Sequence, residues 1–182
     1  FSQRLLAVSF VALSLGACAR QDRMVTGSVT PPDVRARHPI VLANVPRTLD
    51  IFIAGERGLV LRSLDGGDSW SYHPTGYRGT FWSGTALADG TLIVGGLRGS
   101  VYRSTDGGEH WQRVDTGSQS SVTDLVAFDG RVHAVGLDGV SLDSRDGGAS
   151  FVVARRADRL SLTAAVVTAG GVLHFSRAGL VR

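Results

Sequence analysis

From about residue 49 onward the chain alternates short apolar runs with polar turns, at a pace no helix keeps. The runs Ser83–Ala88, Thr91–Gly95, Ser100–Ser104 and His110–Asp115 are bounded by Gly, Asp or Ser, which predicts four short strands. Asp89-Gly90 joins the first pair, as Asp129-Gly130 does further on, and Asp-Gly is a favoured two-residue hairpin turn. Gly96-Leu97-Arg98-Gly99 joins the second pair, and a Ser-x-Asp-Gly-Gly turn joins the third.

This pattern recurs. Ser63-Leu64-Asp65-Gly66-Gly67-Asp68-Ser69-Trp70 returns as Ser104 to Trp111, carrying Asp106 and Gly108, and again as Ser144 to Phe151, carrying Asp146 and Gly148. Asp65 to Asp106 is 41 residues and Asp106 to Asp146 is 40. A second marker, Gly-x-x-Gly, keeps the same register at Gly55–Gly58, Gly96–Gly99 and Gly136–Gly139, and Gly179 lies 40 residues after Gly139. Four antiparallel strands in such a period make one β-propeller blade. The expected fold is all-β: an incomplete propeller of about three blades and the start of a fourth. Residues 40–182 hold it, with blades near 40–78, 79–117, 118–157 and 158–182. In the first blade Ile40–Val45 and Leu49–Ala54 read as the first two strands, turning at Pro46-Arg47-Thr48.

The third turn has the form of an Asp box. Its Asp carboxylate and Ser hydroxyl can accept backbone N–H bonds, and its glycines tolerate a positive φ. Trp70 and Trp111 are expected to be buried as wedges between neighbouring sheets, and Phe151 holds the same repeat position in the third copy. Ser, Asp and Trp together could suggest catalysis, but a set repeated in every blade reads as structural, because one active site needs one set.

Ahead of the repeats, residues 5–17 form an apolar run behind Arg4, too short to span a bilayer. Leu15-Gly16-Ala17-Cys18 closes it and resembles the lipobox of bacterial lipoproteins, in which the cysteine receives diacylglycerol. Residues 1–18 are therefore read as a lipoprotein signal peptide and 19–39 as a linker, with Pro31-Pro32 in it. The expected product is an exported bacterial protein, held at the periplasmic face of the outer membrane through Cys18; an ordinary secretory signal would instead give a secreted one. A start at Phe1, and a fourth unit that stops before its own Asp box, imply a fragment or a truncated gene product.

Charge narrows the partners. From Ile51 onward 13 Arg meet 13 Asp plus Glu, so the repeats are neutral, and the surplus lies in Arg4 and the segment Arg20 to Arg47. A nucleic-acid surface would place the excess on the folded repeats, so no nucleic-acid partner is expected. Cys18 is the single cysteine, which excludes an intrachain disulfide. The five histidines, His38, His73, His110, His133 and His174, have no metal-ligand spacing, and neither metal nor cofactor is expected.

The repeats Gly-Glu-Arg-Gly…Arg-Ser-Leu-Asp-Gly-Gly-Asp-Ser-Trp and Gly-Leu-Arg-Gly…Arg-Ser-Thr-Asp-Gly-Gly-Glu-His-Trp resemble the photosystem II stability and assembly factor family, over residues 49–182. That resemblance implies a non-enzymatic propeller with bacterial-neuraminidase-type repeats that meets a protein partner through an arginine patch. Arg57, Arg98, Arg62 and Arg103 occupy the matching positions; the third blade has Asp138 and Asp143 there. Solvated or locally paired arginines are the competing reading. Residues 5–52, with Thr26-Gly27-Ser28-Val29 and Pro46-Arg47-Thr48-Leu49-Asp50-Ile51-Phe52, resemble instead the lipoprotein of tight-adherence pilus assembly, which implies a pilus-assembly accessory. The enzymatic alternative is a sialidase-like glycoside hydrolase, which needs an arginine triad, a Tyr nucleophile with a Glu, and an acid/base. Glu56 and Glu109 are the glutamates available from Ile51 onward, and Tyr72, Tyr77 and Tyr102 have no Glu beside them in sequence.

Overall fold

The computed structural model describes residues 50–181 and the backbone of 40–44. Three four-stranded sheets and one three-stranded sheet follow one another along the chain. Sheet 1 holds β1 (Ile40–Asn44), β2 (Ile51–Ala54), β3 (Val60–Ser63) and β4 (Ser71–Tyr72). Sheet 2 holds β5 (Phe81–Ala86), β6 (Leu92–Gly96), β7 (Val101–Ser104) and β8 (Gln112–Val114). Sheet 3 holds β9 (Val122–Phe128), β10 (Arg131–Gly136), β11 (Val140–Ser144) and β12 (Val152–Arg155), and sheet 4 holds β13 (Ala164–Thr168), β14 (Gly171–Ser176) and β15 (Gly179–Val181). Strands pair antiparallel in chain order within every sheet, and the first strands β1, β5, β9 and β13 lie side by side, making the fourth strands outermost.

The alternation of each second strand places its side chains on two faces. Phe52 and Ala54 point forward and pack with Phe81, Leu92 and Val94, the latter two pointing backward from sheet 2. Ile93 points forward and joins Leu125, Val132 and Ala134 of sheet 3. Val135, Leu162 and Ala165 continue the core between sheets 3 and 4. The core is thus a series of apolar seams, one per junction.

Strand edges depart slightly from expectation. β5 starts at Phe81, two residues early, because a register shift between Phe81 and Ser83 lets the pairing extend. β8 starts at Gln112 because the backbone N–H of His110 is already bound by Asp106. The aromatic wedges need a correction: Trp70 and Trp111 are half-buried, not enclosed, as is Phe151 at the same position in the third copy. Each precedes an outermost strand, where one edge of its ring meets solvent.

Candidate binding face

Each Gly-x-x-Gly segment folds as one 3₁₀ turn between the second and third strands, at Glu56–Gly58, Leu97–Gly99 and Leu137–Gly139. The closing glycine is required by space. A Cβ on Gly58 would sit 1.9 Å from the Tyr77 carbonyl oxygen, and one on Gly99 would sit 1.9 Å from that of Ser118. The turn therefore lies directly on the chain that enters the next sheet. Gly58 N–H donates to the Gly79 carbonyl at 2.7 Å, and Arg98 N–H donates to Ser121 Oγ at 3.1 Å. Thr75 and Thr116 complete the junction, their hydroxyls donating to the carbonyls of Gly58 and Gly99 at 3.2 and 3.4 Å.

The third residue of each turn is left-handed: φ is 58° at Arg57, 55° at Arg98 and 61° at Asp138. Such a conformation costs a non-glycine residue roughly 1–2 kcal/mol, yet a long or charged side chain stands there three times. Arg57 and Arg98 are exposed at the same end of adjacent sheets. Between their turns lies Tyr77, whose hydroxyl donates to the Leu97 carbonyl at 3.2 Å. Its ring rests 5.0 Å from Phe81 and 5.4 Å from Tyr102, centre to centre. In the third turn Asp138 instead holds Arg155 at 2.8 Å and Arg159 at 3.0 Å.

Arg62 and Arg103 do not join this face. They stand at the far end of their strands, beside the Ser-x-Asp-Gly-Gly turns. Arg62 Nη1 donates to the Gly107 carbonyl at 2.7 Å and Nη2 to Asp50 Oδ2 at 3.0 Å. Arg103 Nε donates to the Gly147 carbonyl at 2.8 Å. Both are half-buried clasps that fasten one sheet to the turn of the next. The grouping of four arginines into one patch thus reduces to Arg57 and Arg98. Asp143 takes the clasp position in sheet 3 and accepts from His133 Nδ1 at 2.7 Å.

The turns themselves are closed hydrogen-bond loops. Ser63 Oγ donates to Asp65 Oδ1 at 2.7 Å and accepts from Gly67 N–H at 2.8 Å, while Asp65 accepts from Ser69 N–H and Oγ at 2.9 and 2.5 Å. Ser104 and Asp106 with Gly108, and Ser144 and Asp146 with Gly148, repeat the loop. The hydroxyl and backbone donors of Ser69 and Ser150 draw Asp65 and Asp146 down to about 2, and the His110 backbone N–H holds Asp106 lower still. Carboxylates so placed are poor proton acceptors.

Glu56 is exposed on its turn, and Glu109 lies 3.8 Å from His73 Nδ1. Among the described residues no three His, Cys, Asp or Glu side chains form a metal-binding group. Cys18 and the signal and linker segments lie outside the described residues.

Two polar groups were not singled out by sequence reasoning. Asp124 accepts from Ser83 Oγ of sheet 2 at 2.9 Å, from Leu125 N–H of its own sheet at 3.0 Å, and from Ala165 N–H of sheet 4 at 2.9 Å. Burial pushes its carboxyl up, against those three bonds. Ser83, Asp124 and Ala165 are spaced 41 residues apart, so comparing polar residues at one repeat position would have found it. His133 and His174 also meet, across sheets 3 and 4.

No protein-family model and no curated protein matches this chain. Solved structures do. YCF48 bound to a D1 peptide is 22% identical with a TM-score of 0.55, over 75% of this chain and 45% of that one. YCF48 from Cyanidioschyzon merolae is 18% identical with a TM-score of 0.60, over 80% and 52%. An ancestral GH74 enzyme is 17% identical with a TM-score of 0.65, over 77% and 22%. The fold is a β-propeller. Its sheets are consecutive blades, and the chain spans about half the length of the two YCF48 structures. Propeller scaffolds carry both binding and hydrolytic functions, so the likeness establishes architecture alone.

Proposed function

We propose that this propeller is a non-enzymatic protein-binding module of the assembly-factor kind, and that Arg57 and Arg98 are its contacts. The observation that carries the reading is the pair of exposed, left-handed arginines at one end of adjacent blades, backed by Tyr77. A planar guanidinium grips carboxylates in two-pronged fashion, and two in series suit an acidic peptide segment. Likeness to a YCF48 that holds a D1 peptide supports the same reading. In the cell the module is exported and tethered to the membrane through Cys18. The GH74 likeness supports a glycosidase as the second reading.

The test is anisotropy of a labelled acidic peptide against wild type and an Arg57→Asn, Arg98→Asn variant. Asparagine tolerates the left-handed backbone, so the fold is kept while the charge is removed. Affinity should fall at least tenfold in the variant and weaken with salt in wild type. Equal affinities would dismiss the arginines, and release of sugar from a xyloglucan or a sialoside would replace the module by an enzyme.

A further inference from the structure

The third Gly-x-x-Gly turn is built like the second but carries the opposite charge. Asp138 N–H donates to Ser161 Oγ at 3.0 Å, as Arg98 N–H donates to Ser121 Oγ at 3.1 Å. The two arginines that hold Asp138 come from the chain leaving its own sheet: Arg155 Nη1 donates to Oδ2 and Arg159 Nε approaches Oδ1. Arg159 is itself left-handed, with φ of 57°, and its backbone rests on Gly139, where a Cβ would come 3.2 Å from Arg159 Cα. Two non-glycine residues thus keep a disfavoured backbone on either side of one ion pair. Arg155 also donates from Nη2 to Ser120 Oγ at 3.1 Å. Arg155 and the Arg98 turn therefore stand on adjacent serines of one loop. The basic end that Arg57 and Arg98 begin continues onto blade 3, where the Asp138 carboxylate covers it.

We propose that Asp138 is a resident stand-in for a carboxylate of the partner. Arg155 and Arg159 form a third basic subsite, which Asp138 fills until a second acidic group of the bound segment displaces it. This rests on the reading of Arg57 and Arg98 as contacts, and it describes their partner as a segment with two separated acidic groups. Two guanidinium groups converging on one carboxylate are what such a group needs in order to be gripped. Displacement is easy, because water screens an exposed ion pair, and the side chains of Asp138, Arg155 and Arg159 are 40%, 35% and 58% exposed. Arginine at position 138, as in the other two turns, would crowd three cations together. Aspartate there neutralises Arg155 and Arg159 while no partner is bound.

Asp138→Asn removes the charge and keeps a residue that tolerates the left-handed turn. In anisotropy titrations of the full chain with a labelled oligoglutamate peptide, this variant should bind roughly three- to fivefold more tightly than wild type. Adding Arg155→Gln should cancel the gain. Asp115→Asn removes a charge at the same end, from a carboxylate that accepts from Gly117 N–H, and should leave the affinity as it was. Circular dichroism checks that each variant keeps its sheets. An equal gain from Asp115→Asn would reduce the effect to net charge and overturn the proposal. So would an Asp138→Asn chain that binds no more tightly while Arg57→Asn, Arg98→Asn still loses affinity. If that double variant instead binds as wild type does, the underlying reading falls and the proposal falls with it.

Discussion

His133 and His174 face each other through their Nε2 atoms at 2.9 Å, with ring planes 6° from parallel. Asp143 Oδ1 accepts a hydrogen bond from His133 Nδ1–H, which leaves His133 Nε2 as an acceptor and Nε2–H of His174 as the donor. Protonating both rings would turn two N–H groups against each other. The charged groups facing the pair are Asp143, Arg156 and Asp124. Burial lowers the affinity of His174 for its second proton, and His133 and Arg156 add to that. A folded value below the unfolded one means that unfolding takes up a proton. The contribution is therefore complete above about pH 6.5 and lost as pH falls through the folded value. Urea midpoints should drop between pH 7.5 and 5.5, and His174→Gln should flatten that slope. An unchanged slope in the variant would assign the pH dependence elsewhere.

The clasps predict an order of stabilities. Arg62 makes two charged hydrogen bonds and Arg103 one in the structure. Arg62→Ala should cost about 1.5–3 kcal/mol and Arg103→Ala less. Equal or negligible losses in urea unfolding would show that the bonds to Gly107 and Gly147 are replaced by water at no cost.

The two tryptophans should respond differently to Phe. Trp70 Nε1–H donates to the Gly67 carbonyl at 3.0 Å, whereas Trp111 Nε1 is buried with no partner. Trp70→Phe should cost about 0.5–1.5 kcal/mol, and Trp111→Phe less. Trp111→Ala should still cost about 3 kcal/mol, the low end for a large aromatic, because its ring is only half-buried. Thermal melts of the three variants decide this; a larger loss for Trp111→Phe than for Trp70→Phe contradicts it.

Removing Asp124 strands donors from three blades at once. Asp124→Ala should cost about 2–4 kcal/mol. Asp124→Asn should remain destabilising despite its matched shape, since its amide group must face a donor. Hydrogen exchange at Leu125 and Ala165 should speed up in both variants, and unchanged protection there would deny the bridge.

The all-β fold and its succession of antiparallel sheets were legible because they rest on local residues in a fixed period. What escaped was set by distance along the chain. Arg62 reaches a carbonyl 45 residues on, and Arg103 one 44 residues on; nothing local to the Arg-Ser pair says whether its side chain points to solvent or to the next sheet. His133 and His174 lie 41 residues apart, so no ligand-like spacing announces them. The aromatic positions were right and their depth was wrong, because the repeat gives a residue's place in a blade but not its distance from the outer edge.

The clasps also run in one direction. Each arginine precedes the glycine it holds, Arg62 ahead of Gly107 and Arg103 ahead of Gly147. A ribosome adds ~5–20 residues per second, so each clasp emerges seconds before the turn it receives. A newly synthesised turn thus arrives at a receptor that is already in place, and the sheets can be laid down in order of translation, each one serving as the template for its successor.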